Sequence, residues 1–109
     1  MKKEPFLIRQ GDVGLIAVDA IPPDAVEQPR KKGERIVLAY GEVTGHAHAF
    51  HDVGVMALRA ANADVFLRIA EPATLRHEEH THITVPPGMY RVLRQREWTD
   101  SEEPILVAD

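Results

Sequence analysis

Short apolar runs, cut at intervals by glycine, proline and aspartate, dominate the pattern of this chain. Valine, leucine and isoleucine make up most of these runs, and no apolar period of about 3.6 residues continues over successive helical turns. β-Branched side chains that alternate with polar ones pack well on a pleated sheet and poorly along a helix. The pattern therefore predicts a chain made mostly of strands.

The runs and the turn residues between them predict the individual strands. Residues 6–18 form a first strand or hairpin, with Gly11 and Asp12 as its turn or bulge. Residues 20–33, which combine prolines with a basic run, are predicted to be an exposed loop. Further strands are predicted at residues 35–40, 46–49, 55–60, 65–69 (after a hairpin turn at 61–64), 83–85 and 89–98, with a closing edge strand at 105–108.

These strands belong to a single all-β domain that covers residues 1–109. Short antiparallel strands must close on themselves or stack in two layers to bury an apolar face and protect their edges. We therefore expect a small antiparallel barrel or sandwich. A helical turn is expected only at residues 73–80, where His77 and His80 would lie on the same side.

Composition and charge narrow the possible roles. Cysteine is absent, which excludes disulfides, thiolate metal ligands and a cysteine nucleophile. The formal net charge of −4 and the few aromatic residues do not indicate a protein that coats nucleic acid. The first apolar run is too short for a signal peptide or a membrane span. We expect a cytoplasmic protein without a membrane partner.

All six histidines of the chain fall in two short clusters. Neutral imidazole is the commonest protein metal ligand, and it also carries protons readily near neutral pH. The alternative without metal binding or proton transfer is that the imidazoles lie at strand ends and form hydrogen bonds with backbone groups. The first cluster contains His46, His48 and His51, and the second contains His77, His80 and His82.

One metal ion bound by both clusters is the chemistry that this spacing favours. In a strand, His46 and His48 share a face about 7 Å apart along the chain. These two with His77 and His80 form the predicted ligand set. Zinc is the first choice, and iron, nickel or manganese are alternatives, because imidazole suits all of these divalent ions. Four protein ligands favour a structural ion, whereas three with an open position let the ion activate water.

Acidic residues beside the histidines are candidates for a catalytic or supporting role. A carboxylate can replace an imidazole, orient a ring through a hydrogen bond, or move a proton. The HEEH segment at residues 77–80 is not the H-E-x-x-H motif of zinc proteases, because Thr81 stands where the second histidine is needed. The candidate carboxylates are Glu42, Glu78 and Glu79.

Two short segments resemble parts of the cupin motifs. The HAH of residues 46–48 resembles the first cupin ligand pair, and the PPG of residues 86–88 resembles the P-x-G of the second motif. The resemblance implies a cupin-like barrel as one form of the fold. Asp52 and Arg91 stand where cupins have a glutamate and a histidine ligand, so the usual cupin metal site is not implied.

A second resemblance rests on motifs spread over most of the chain. The segments QGDV, GEVTGHAH, LRHEEH, ITVPPGMYRV, QREW and a terminal V-x-D look like those of a family of short, uncharacterised bacterial proteins. In such sequences the GExTGHxH and HEEH segments form the signature. The resemblance therefore implies a working set without His51 and His82. That set is Glu42, His46, His48, His77, Glu78, Glu79 and His80.

Three hypotheses of different classes follow from these observations. The preferred one is a metal-binding β-domain whose ion is structural or ligand-binding. The second is a metal-dependent or histidine-dependent hydrolase that acts on a phosphodiester or similar bond. The third is a non-catalytic accessory module that binds a protein partner, or a second copy of itself, through an exposed strand edge.

Overall fold

The computed structural model describes residues 7–40, 46–78, 80–94 and 105–108, and strands make up most of them. No helix occurs in these ranges, so none that could span a membrane is found there. The strands are β1 (Leu7–Gln10), β2 (Val13–Ala17), β3 (Val26–Glu27), β4 (Ile36–Tyr40), β5 (Ala47–Phe50), β6 (Val55–Arg59), β7 (Val65–Ile69), β8 (Ala73–His77), β9 (His80–Val85), β10 (Gly88–Arg94) and β11 (Ile105–Ala108).

The strands form two sheets that stack as a sandwich. The larger sheet has the order β11-β1-β2-β10-β7-β6-β3; its neighbours are antiparallel except for β11, which joins β1 in parallel. The smaller sheet has the order β4-β5-β8-β9 and is antiparallel throughout. The expected all-β fold is confirmed. Of its two forms the sandwich is found, because the described strands do not close into a barrel, cupin-like or otherwise.

The core lies between the sheets and follows the alternation of the strands. Phe50 and Leu75 are paired neighbours on the smaller sheet, and both are fully buried. They belong to the same apolar cluster as Leu15 and Leu67 of the larger sheet. Burying each such side chain stabilises the fold by about 1.5–3 kcal/mol. The apolar core that joins the two sheets therefore contains none of the histidines.

The first hairpin turns where the sequence predicts it. Gln10 pairs with Val13, so Gly11 and Asp12 form a two-residue loop between β1 and β2. Gly11 has a φ of 58°, the left-handed angle that the first position of a type II′ turn requires. The predicted hairpin around residues 61–64 is also found, since β6 and β7 pair antiparallel.

One prediction for local structure is wrong, and another is incomplete. The described residues of the range 73–80 show no helical turn, because Ala73–His77 form the strand β8, in which Ala73, Leu75 and His77 alternate inward. The exposed loop predicted at 20–33 contains the short strand β3, which pairs with the end of β6. The strand predicted at residues 89–98 begins at Gly88 and is described as far as Arg94; the rest of that range lies outside the described residues.

Candidate metal centre

Three histidines from both sequence clusters meet at one end of the smaller sheet. His48 lies on β5, His77 ends β8 and His80 begins β9. One ring nitrogen from each lies within 4.8 Å of the others. The ring centroids are 4.3 Å apart for His48 and His77, 4.6 Å for His77 and His80, and 5.6 Å for His48 and His80. We call these three residues the histidine triad.

A β-bulge in β9 brings His80 into the triad. Leu75 pairs with Ile83, and a regular ladder from there would place His80 on the opposite face from the buried Ile83. Instead His77 pairs with His80, so the two residues Thr81 and His82 lie opposite one residue of β8. An extra residue in a strand reverses the alternation beyond it. His80 therefore joins His77 on the inner face.

The buried Gln10 side chain holds the bulge from the other sheet. Its amide nitrogen donates to the carbonyl oxygens of Leu75 and Thr81, each at 3.0 Å. One of these carbonyls lies on β8 and the other on β9, the two strands between which the bulge is found. One amide group therefore links β1 to both of them. Gln10 is completely buried, and all of these groups would cost free energy without their partners.

The same amide fixes the tautomer of His48. Both amide hydrogens of Gln10 are donated to the two carbonyls. The amide oxygen can only accept, so His48 Nδ1, at 2.9 Å, must donate a hydrogen bond to it. The proton of the neutral ring is then on Nδ1, and Nε2 presents a lone pair. A hydrogen bond at one ring nitrogen that orients the other is the usual arrangement of a metal-binding histidine.

Asp12 lies beside that lone pair. Its Oδ1 atom is 3.3 Å from His48 Nε2, and its side chain is 55% exposed. Burial and the neighbouring His77 lower the pKa of His48 to about 4, although Asp12 opposes the shift. At neutral pH the ring is therefore uncharged, and the contact joins two acceptors rather than an ion pair. A cation between or beside them would remove the repulsion.

Gly11 gives the rings room to approach the turn. A Cβ atom at this position would lie 2.8 Å from His80 Nε2 and 3.2 Å from His48 Cε1. The glycine is needed twice, for its backbone angle and for this contact. The QGD turn, formed by Gln10, Gly11 and Asp12, thus covers the triad. Gln10 orients the ring of His48, Gly11 leaves space for the rings of His48 and His80, and Asp12 places a carboxylate beside His48.

His80 also has a nitrogen that no described group satisfies. Its Nδ1 atom is buried and makes no hydrogen bond within the described residues. Buried polar atoms are normally paired, and an exception calls for a missing water, an ion or another partner. His80 is half-buried, whereas His48 and His77 are buried, so the triad opens toward solvent beside Asp12.

The triad is close to the size that a metal ion requires. Around a tetrahedral ion bound at about 2.0–2.1 Å, three imidazole centroids lie about 5 Å apart and the ligand nitrogens about 3.3 Å apart. The observed centroid distances of 4.3, 4.6 and 5.6 Å bracket the first value. Small ring movements would bring the nitrogens together, so the three histidines can hold a metal.

The other predicted site residues lie around the triad or outside the described residues. His46 is half-buried, and its ring meets that of His77 edge-on at 5.8 Å. Glu78 Oε1 accepts a hydrogen bond from Ala47 N at 2.9 Å, which anchors the start of β5. Backbone N–H groups of Ala47 and of Glu78 itself lower the pKa of that carboxyl. Glu42 and Glu79 lie outside the described residues.

The two histidines left out of the working set are not part of the triad. His51 and His82 are exposed. They line a shallow groove of about 170 Å³ together with Arg35 and Arg76, and this groove also reaches His77 of the triad and its neighbour Glu78. Sequence reasoning missed Gln10, Gly11 and Asp12 as site residues; the QGDV segment, noted only as part of a resemblance, was their one signal.

Comparison with known proteins places the chain in a family. Residues 9–95 match the family model described as Domain of unknown function (DUF8820). The match covers most of the chain and contains the QGD turn and the whole triad, so the protein belongs to this family. No curated protein and no solved structure gave a match.

Proposed function

We propose that this DUF8820 protein binds one divalent transition-metal ion, zinc in the first instance, through His48, His77 and His80. The ion keeps a fourth position at the solvent-facing side of the triad, where Asp12 lies. The observation that carries the proposal is the Gln10 hydrogen bond, which turns the His48 lone pair toward that carboxylate. Two acceptors at 3.3 Å are stable together when a cation sits beside them.

The donor set also favours this class of ion. Three nitrogens with one nearby carboxylate and no thiolate suit zinc, and also iron, nickel and manganese. A calcium or magnesium ion would require mostly oxygen ligands, which the triad does not supply. Three protein ligands with an open position are typical of sites that bind an exchangeable ligand, whereas closed structural sites use four.

Metal analysis of untagged protein tests the proposal. We expect about one equivalent of metal per chain, and loss of it in His77→Ala and His80→Ala, because two imidazoles bind too weakly to retain the ion. His51→Ala and His82→Ala are matched controls, since each removes an exposed histidine outside the triad. Less than about 0.2 equivalents after metal-free protein is dialysed against zinc would contradict the proposal.

Hydrolysis is a second candidate, favoured by the residues at the mouth of the triad. Asp12 is exposed enough to take a proton from a metal-bound water. Arg9 donates from Nε to Gly11 O at 3.0 Å, so its guanidinium lies beside the same turn and can attract an anionic substrate. An assay of the zinc-loaded protein with phosphodiesters and esters tests this role. Turnover that disappears in Asp12→Asn, with metal retained, would support it; no turnover across the panel would overturn it.

A further inference from the structure

The sandwich has an open side that the histidines do not occupy. Next to the triad, β9 lies against β1 and Gln10 bridges the sheets. At the opposite edge of the smaller sheet, β4 faces β6, β7 and β10 across a cavity of about 480 Å³. That volume falls in the range of sites that bind small organic molecules.

One part of the cavity wall is aliphatic, and the rest is polar or charged. Ile36 and Leu38 come from β4, and Val65 and Val92 come from the inner face of the larger sheet. All four are only half-buried, and three of them pack against the main core cluster. No aromatic side chain is found among the described residues that line the cavity. This aliphatic part of the wall therefore fits an alkyl chain better than a nucleobase.

The rim of the cavity carries an excess of positive charge. Arg30, Arg35 and Arg59 line it, against the carboxylates of Glu34 and Asp64. Asp64 is already 3.4 Å from the guanidinium of Arg91, which leaves its negative charge partly neutralised. Among the described residues the rim therefore favours an anion.

Arg30 has hydrogen-bonding capacity to spare. One of its terminal nitrogens donates to Asp52 O, which fixes the side chain. The other, Nη1, is buried and makes no hydrogen bond within the described residues. A buried guanidinium nitrogen is costly to leave unpaired, and a carboxylate is its best partner.

We propose that this cavity binds a medium-chain aliphatic carboxylate. The Arg30 guanidinium turns toward the rim and donates a hydrogen bond to the carboxylate, and the alkyl chain lies against Ile36, Leu38, Val65 and Val92. The site is separate from the triad, since no residue of the triad lines the cavity. It does not depend on the metal proposed above.

Titration of the purified protein with octanoate, followed by amide chemical shifts, tests this site. We expect saturable shifts at β4, β6 and β7. Octanol, which has the same chain without the charge, should bind at least about tenfold more weakly, because it lacks the charge-assisted hydrogen bond. Shifts confined to the triad, equal binding of octanol, or no binding at millimolar octanoate would each overturn the proposal.

Two variants separate the charge from the cavity. Arg30→Gln should weaken octanoate about tenfold, with octanol unaffected. Val65→Trp should block both ligands by filling the space. Arg76→Gln removes a charge from the outer face of the smaller sheet and should change neither. A cooperative melt in each variant shows that the sandwich is folded; unchanged octanoate affinity in both Arg30→Gln and Val65→Trp would contradict the site.

Discussion

The two edge strands of the smaller sheet, β9 and β4, have different surroundings. At the β9 edge, one buried amide reaches from β1 to two strands and leaves the triad packed beneath a tight turn. At the β4 edge, half-buried aliphatic residues face a cavity instead of the other sheet. The difference teaches that the two edges of one sheet can be packed to different degrees, one around buried polar groups and one around an open cavity. Both proposed sites lie at these edges.

Excess zinc should have the largest effect, and it should act on the β9 edge. A ligand present at about a thousand times its dissociation constant raises the free energy of unfolding by about 4 kcal/mol. Thermal melts with and without zinc measure this gain, and hydrogen exchange locates it. We expect extra protection at β8 and β9 and little at β4. Equal protection of both edges would show that the ion does not single out the triad.

Gly11→Ala should have the second largest effect, a loss of stability at the β9 edge. The new Cβ would contact His80 Nε2 at 2.8 Å in a residue with a φ of 58°. We expect a loss of about 3 kcal/mol in metal-free protein, because ring displacement adds to the backbone strain. Gly33→Ala is the matched control: its φ is 83°, but nothing lies within 4 Å. It should cost about 1 kcal/mol. Equal losses in denaturant unfolding would mean that the rings do not rest on the glycine.

Gln10→Leu should weaken both the bridge and the metal site. Removing the amide leaves His48 Nδ1 and two carbonyls without their partner, at a cost of about 2 kcal/mol in the free energy of unfolding. Loss of a group that orients a metal ligand typically weakens the metal by about 10–100-fold. Competition with a zinc chelator measures the affinity. An unchanged affinity would show that the amide does not orient His48 for the metal.

Acid should destabilise the metal-free protein through His48. The pKa of His48 is lowered to about 4 in the folded state, so the unfolded chain takes up this proton first as the pH falls below about 6.5. Above that pH the ring is neutral in both states and costs the fold nothing. Toward pH 4 the unfolded chain is stabilised by the proton that the folded ring does not take up, so the free energy of unfolding falls. Between pH 6.5 and 5 we expect a loss of about 1–2 kcal/mol. Urea unfolding at several pH values measures it, and the slope should shrink in His48→Gln. The same slope in that variant would assign the effect to another group.

The sequence was informative about the histidines for a local reason. His48 and His77 could be placed on one site because dense clusters of one functional side chain are rare and the strand period is easy to read. The prediction that His77 and His80 share a side is correct, although the helical turn behind it is wrong. A bulged hairpin and a helical turn both bring such residues together, so spacing alone does not distinguish them.

The turn above the triad was beyond sequence reasoning for the opposite reason. Gln10 meets its partners across 38 to 71 residues of chain, and no local period reports such a contact. Gly11 and Asp12 look like any turn pair, and the turn was predicted correctly as a turn. The cavity at β4 was missed because half-buried valines and leucines look the same as core residues in a sequence. Which strands lie opposite each other had to be known first.

Because of the bulge in β9, a single mutation can remove the site and leave the fold intact. One codon inserted between Glu78 and His80 would allow regular pairing with Thr81 opposite His77, and His80 would then lie on the outer surface while Leu75 and Ile83 kept their contact. We expect such a chain to retain its layers and lose its third imidazole. Binding and non-binding descendants of the same sandwich would then differ by a single in-frame triplet.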